Sequence, residues 1–192
     1  DHIFILTLFL YPFKIIERNH LKRVLYLIFN DVKHSGLFFT NEFNDCLLDL
    51  ISYEKHKAFD EIIDIAIRDN IIVQNDNTYV IQKKNLLKVY NHDEIRLKNI
   101  LKVLLNEILL INEAHIIVTY YANQKPYLIN EALYNLLKEE EASEFEEDYK
   151  QFWHHKGIKD KNIGKPFLLN APSDTCVIAL HGFSSAPKEV EK

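Results

Sequence analysis

The chain carries only four glycines in 192 residues, and three of them, Gly157, Gly164 and Gly182, fall in the last 36. That is about 2%, against roughly 7% in average proteins. Sites built from several glycines are excluded, since there is no G-x-G-x-x-G, no G-x-x-x-x-G-K-[ST] and no G-x-S-x-G. Taken alone, the shortage argues against an α/β enzyme over the first 156 residues, where Gly36 is the sole glycine. The texture changes after Gly157, and three of the five prolines join the glycines there.

Methionine is absent altogether, so Asp1 reads as the first residue of a processed chain or of an excerpt from a longer one. The length allows one large or two small domains with ample core. Cys46 and Cys176 are far apart and lack metal-type spacing. With no secretory signal in view they read as buried thiols of a reducing compartment, and a cytoplasmic chain is expected. The net charge of −5 is local: residues 131–150 carry eight acids against Lys138 and Lys150, which leaves +1 for the rest. No nucleic-acid-binding field covers such a chain. The acidic run reads as the solvated face of a helix, with an acidic interaction surface as the alternative.

Residues 3–16, IFILTLFLYPFKII, form the most apolar stretch. It is shorter than the roughly 20 residues that span a bilayer, and Pro12 interrupts it. A buried helix or strand is expected, the alternative being an element that touches the inner face of a membrane. Asn19 is placed to cap a helix over 20–34, with Leu21, Val24, Leu25, Ile28 and Val32 at helical spacing. A second helix is expected after Thr40-Asn41, with Phe43, Cys46, Leu47, Leu50 and Ile51 on one face. A third covers 56–69 through Phe59, Ile62, Ile63, Ala66 and Ile67. Ile71-Ile72-Val73, the turn Asn75-Asp76-Asn77, and Tyr79-Val80-Ile81 predict a β-hairpin. Helix, helix, hairpin is the order of a winged-helix unit.

A long amphipathic helix is predicted over 93–111, with Arg96, Asn99, Asn106 and Glu107 as a polar stripe opposite its leucines and isoleucines. Residues 114–122 are ambiguous between helix and strand, because the apolar run is short enough for a strand. Asn130 is placed to cap a last helix over 131–155. Residues 157–172 read as an extended linker. Cys176-Val177-Ile178-Ala179-Leu180 reads as an apolar strand of the kind buried in a parallel sheet. It enters His181-Gly182-Phe183 directly, and Pro187-Lys188-Glu189-Val190 reads as a helix start with Ser185 near its cap.

That strand–loop–helix order carries the sharpest chemistry. In an α/β-hydrolase the loop after an early strand supplies a backbone N–H to the oxyanion hole, and glycine after His181 lets the backbone turn and substrate approach. No nucleophile is assignable, because none of the serines, Ser184 and Ser185 included, sits in an elbow motif. His155 and Asp160 show the H-x-x-x-x-D spacing of glycerolipid acyltransferases, but in a lysine-rich segment without apolar flanks, where coincidence is the better reading. The other histidines are scattered and pair with no second ligand at zinc spacing. No metal and no cofactor is expected.

On these residues the chain resembles a bacterial fusion of a glycerol-3-phosphate-type acyltransferase with an α/β-hydrolase. The entry segment of such hydrolases is similar to Glu147-Asp148-Tyr149-Lys150-Gln151-Phe152-Trp153, Ile163-Gly164-Lys165-Pro166-Phe167-Leu168-Leu169, Val177 through Phe183, and Ala186 through Val190. The middle resembles the region that follows the acyltransferase catalytic domain, through Arg96-x-x-Asn99 and Asn106-Glu107 and the helix–hairpin order before them. The resemblance implies a mainly α connecting domain with a small winged-helix-like hairpin over 1–156, a linker over 157–172, and the truncated start of a hydrolase over 173–192. It also implies a parent acting on a lipid or acyl ester, with peripheral membrane contact and no nucleic acid. Only the oxyanion loop, His181, Gly182 and Phe183, carries over as site residues, with the Phe183 N–H as donor. The fragment itself is then non-catalytic. The rival is a winged-helix binding module for DNA, supported by Lys83, Lys84 and Lys88 after the hairpin and opposed by Asp60, Glu61, Asp64 and Asp69 on the helix that must approach phosphates. A purely structural interaction module is the third reading.

Overall fold

A computed structural model describes residues 1–36, 47–91, 94–152, 160–167, 169, 177–178 and 187–189, without the side chains of Arg96 and Leu97. The chain is mainly helical with one small antiparallel sheet, and it divides into two compact units, Asp1–Leu133 and Tyr134–Lys192.

In the first unit, helix α1 (His2–Leu10) is apolar on every side and buried from Ile3 to Leu8, as a helix hydrophobic all round must be. Thr7 satisfies its hydroxyl within the helix by donating to the Ile3 carbonyl at 2.7 Å. The apolar stretch therefore supplies a core helix. Its exposed residues, Phe13 and Ile15, come after Pro12. Strand β1 (Ile15–Glu17) follows and leads into α2 (Arg18–His34). The cap is Glu17 rather than Asn19: its carboxylate accepts from the backbone N–H groups of Asn19 at 3.0 Å and His20 at 2.8 Å. An acid there also meets the positive end of the helix dipole. The expected stripe is met, with Leu21, Val24, Leu25, Ile28 and Val32 all buried.

Of the second expected helix, 41–46 lies outside the described residues, and α3 (Asp49–Ser52) forms one short turn. Helix α4 (Lys57–Arg68) buries Phe59, Ile62, Ile63 and Ala66. Strands β2 (Ile72–Asn75) and β3 (Thr78–Ile81) make the expected hairpin, pairing Ile72 with Ile81 and Asn75 with Thr78. The sheet has a third strand the sequence did not reveal. β1 pairs antiparallel with β3, Ile15 against Val80, giving the order β1-β3-β2.

Two tight places that usually fall to glycine are filled otherwise. The α4 terminus bonds the Ile71 N–H to the Ala66 carbonyl and the Asn70 N–H to the Ile67 carbonyl, with Asn70 at φ 55°. That is a Schellman ending, with buried Ile71 as its apolar partner. Asp76 turns the hairpin at φ 48°. Asn and Asp are the side chains that best tolerate this region.

The long helix expected over 93–111 is broken. Short α5 (Lys83–Leu86) and α6 (Ile95–Lys98) come first, and α7 (Ile100–Ile108) starts afresh because buried Asn99 caps it, accepting from the Lys102 N–H at 2.9 Å. The polar stripe dissolves accordingly, with Asn99 inside, Asn106 exposed and Glu107 on the surface bonded to His2. Residues 112–122 form helix α8 (Asn112–Ala122), not a strand, and bury Ala114, Val118, Tyr121 and Ala122 on one face. Tyr121 donates to Asp31 of α2 at 2.7 Å. Helix α9 (Pro126–Phe152) starts at Pro126, the favoured first helical position for proline. Asn130 lies inside it and accepts from Arg23 at 3.0 Å, so it is not the cap.

In the second unit α9 continues with Glu139, Glu141, Glu144, Glu147 and Asp148 exposed. Within the expected extended linker, Lys161–Gly164 form a helical turn, α10, instead. Lys161 donates to Glu146, holding that carboxyl below its usual range, and lies 5.7 Å from the Tyr149 ring centre. No helix among the described residues is long and apolar enough to cross a membrane.

Candidate functional site

The residues singled out as an oxyanion loop, His181, Gly182 and Phe183, lie outside the described residues, as do Cys46, Cys176, His155 and most of the strand expected over 176–180. Of that strand, Val177 and Ile178 carry no strand pairing and are 85% and 80% exposed. Beyond the loop, Pro187–Glu189 form a 3-10 turn where a helix start was expected.

The H-x-x-x-x-D reading loses its acid. The Asp160 carboxylate accepts from the Asn162 N–H at 2.7 Å and caps α10. Several serine and histidine side chains are likewise committed locally. Ser35 and Ser52 donate to the carbonyls of Val32 and Leu48. His34 bonds the Asn30 carbonyl at 2.7 Å, and His56 accepts the Phe59 N–H at 3.2 Å to cap α4. None of these pairs a nucleophile with a base. Among the described residues no group of three His, Cys, Asp or Glu is placed to hold a metal ion.

A polar cluster joins β1–α2 to α4 and β3. The Arg18 guanidinium donates to Asp60, to the Tyr79 hydroxyl at 2.5 Å and to the Glu54 carbonyl at 3.2 Å, while lying 5.0 Å from the Phe59 ring centre. Lys22, almost fully buried, donates to the carbonyls of Tyr53 at 2.8 Å and Glu54 at 2.9 Å and faces the same ring at 5.3 Å. Burial works against the charge on Arg18, but its bonds to Asp60 and Tyr79 outweigh it and hold the pKa above the ordinary value. Burial lowers the Lys22 pKa, and the Arg18 charge adds to this. Burial also raises Tyr79, with Arg18 opposing. Arg18 and Lys22 both bond protein acceptors, so the cluster locks α4 and the 53–56 turn onto α2. No sequence pattern announces it. Asp60 reads there as a solvent-facing acid, and no fixed spacing links it to Arg18.

Beside this lock, a cleft of about 570 Å³ runs along α2, α3 and α4. Phe4, Leu25, Phe29 and Ile62 give it an apolar floor, and Lys55 and Glu61 stand among its polar lining. Its described lining suits it to receive an apolar group.

No family model matches the chain, and no curated protein or solved structure is similar to it.

Proposed function

We propose that the chain is the non-catalytic connecting region of a lipid-processing enzyme, leading into a serine carboxylesterase or lysophospholipase-like α/β-hydrolase behind a glycerolipid acyltransferase. The observation that carries this reading is the run Val177-Ile178-Ala179-Leu180-His181-Gly182-Phe183 followed by Ala186-Pro187-Lys188-Glu189-Val190. An apolar strand, a His-Gly loop and a helix start in that order are what an oxyanion-hole donor requires, because negative charge develops on the carbonyl oxygen during acyl transfer. The body is consistent with a positioning role: Ser35, Ser52, His34 and His56 serve caps and local bonds. The substrate on this reading is a lipid or other acyl ester, and the donor is the Phe183 N–H.

Hydrolysis of a p-nitrophenyl ester by the full-length enzyme tests it. Phe183→Pro removes the donor and is expected to lower kcat about 10²–10³-fold. Unchanged kcat in the folded variant sinks the reading.

The topology favours a second reading. Helix α1, strand β1, helices α2 and α4, then a hairpin whose second strand lies between its partners is the arrangement of a winged-helix unit. Such units serve as interaction modules. DNA is a poor partner for this one, because α4 exposes Glu61 and Asp64 on the helix that enters the groove. A gel shift at low salt separates the two, and retardation there would favour the DNA-binding module.

A further inference from the structure

Although the chain is net negative, one end of the sheet is built from segments without a single acid. Residues 11–16 and 80–91 carry Lys14, Lys83, Lys84 and Lys88 and no Asp or Glu. The fold brings these segments together. The Ile81 N–H donates to the Lys14 carbonyl at 2.8 Å, and Lys83 Nζ donates to the Tyr11 carbonyl at 2.5 Å, which ties α5 to the chain just before β1. The same end exposes apolar side chains. Ile15 and Val73 both pair with Val80 and so share the outer face of the sheet, leaving a row of aliphatic groups open to solvent. Phe13 stands exposed beside them, edge-on to buried Tyr11 at 5.7 Å. Beyond α5, Leu87 is exposed and Val89 is 90% exposed, with Lys88 between them.

The geometry points to an anionic membrane surface as the partner of this face: Phe13, Ile15 and Val89 enter the headgroup boundary while Lys14, Lys84 and Lys88 meet the lipid phosphates and carboxylates. The charge selects this occupant. Exposed apolar groups interspersed with lysines match an interface that is apolar below and negative above, and the acid next along the same sheet face, Glu17, is engaged in capping α2. Other exposed apolar residues, Leu110, Ile116 and Tyr120, have Glu107 and Glu113 close by in sequence and lack that match. Most of the long apolar stretch is consumed by α1 in the core, so contact falls to its last residues and to a segment about 70 positions away. The proposal extends the lipid-processing reading but stands on this surface alone, and its test involves no catalysis, so either can fail without the other.

Cosedimentation of the 192-residue chain with sucrose-loaded vesicles decides it, comparing phosphatidylcholine alone with phosphatidylcholine containing phosphatidylserine. Binding is expected to the anionic vesicles only, and to weaken as salt rises. Each lysine near the surface contributes about fivefold, so Lys14→Ala/Lys84→Ala/Lys88→Ala should weaken binding roughly 100-fold. Val89→Ser, at a site too exposed to affect folding, should weaken it further, whereas Leu110→Ser should leave it unchanged. No binding to anionic vesicles, or binding that the triple variant retains in full, overturns the proposal. Self-association without lipid that is lost in the same triple variant assigns the face to a second copy of the chain and overturns it equally.

Discussion

Replacing Asp60 by alanine is expected to destabilise the first unit by about 2 kcal/mol, a figure that follows from how the carboxylate is held. It accepts from the Arg18 guanidinium through one oxygen and from the His56 N–H at 3.2 Å through the other. A hydrogen bond to a charged group is worth about 1.5–3 kcal/mol. Removing one partner of a fully buried pair costs about 3–5 kcal/mol. Here the two side chains are 16% and 34% exposed, so water partly compensates the orphaned guanidinium and the lower range applies. Arg18→Met is expected to cost more, about 3 kcal/mol, because it also strips the partner from the Tyr79 hydroxyl, whose residue is fully buried. The double variant separates the pair from its surroundings. Urea unfolding followed by circular dichroism at neutral pH should return a coupling of about 1–2 kcal/mol between the two positions. Coupling below about 0.5 kcal/mol would mean that the two charges are solvated independently, and that the lock between α2 and α4 is one of shape alone.

Two further outcomes follow from the same unit. Both ring nitrogens of His20 are buried without a hydrogen-bond partner, and burial lowers its pKa, opposed by Glu17 and aided by Arg23. The neutral ring is therefore the folded form. Its contribution is complete above the unfolded value near 6.5 and is lost as pH falls below that toward the folded value. Unfolding free energy should decline on acidification through this window, and His20→Phe should both flatten the decline and add about 1 kcal/mol at neutral pH; an unaltered pH profile in the variant refutes it. Asn99→Ala removes the cap of α7 and should cost about 1 kcal/mol in thermal or urea unfolding, while Asn99→Asp should cost no less, because it keeps the accepting oxygen but loses the amide's bond to the Asn85 carbonyl and buries a charge; a near-neutral aspartate variant would refute this.

What the sequence made legible was whatever one helix or one hairpin decides for itself. The stripe Leu21–Val32, the stripe Phe59–Ala66 and the Asn-Asp-Asn turn each predicted an element that is present, because burial of a periodic face and turn chemistry are local properties. The errors came where a single polar side chain chose between two local states. Asn99 fits a solvated stripe on a continuous helix, but the same side chain can bond the backbone three residues on, and once buried it takes that role and breaks the helix. Asn130 presents the opposite case, a good cap by type that is drawn into the helix while Pro126 opens it and Arg23 takes its side chain. Residues 114–122 were ambiguous because alanine, valine and tyrosine suit either period in so short a run. Packing against α1 and α2 decides it for helix.

The third strand and the Arg18 lock were illegible for a different reason. Ile15 pairs with Val80 across 65 positions, and Arg18 meets Asp60 across 42. Neither pairing leaves a spacing rule in the chain, and each exists only because β1 is drawn alongside the hairpin. The shortage of glycine, by contrast, has a direct structural answer. With Gly36 the sole glycine before 157, the two positive-φ positions at the hairpin's ends go to Asn70 and Asp76, and each is thereby predicted to gain from glycine. The gain is bounded by about 1 kcal/mol, the cost of holding an L-residue in the left-handed region, less whatever glycine loses through its freer unfolded chain. At Asn70 the Schellman bonds are made by backbone, and the side-chain amide adds only a long bond to the Arg68 carbonyl at 3.5 Å. Asn70→Gly should therefore be neutral to stabilising, whereas Asn70→Val should be destabilising by more than 1 kcal/mol, because a β-branched side chain is strained at that φ. Equal stability of the two variants in urea unfolding would show that the α4 ending relaxes rather than holds its turn, and would remove the argument that this body does with asparagine and aspartate what other chains do with glycine.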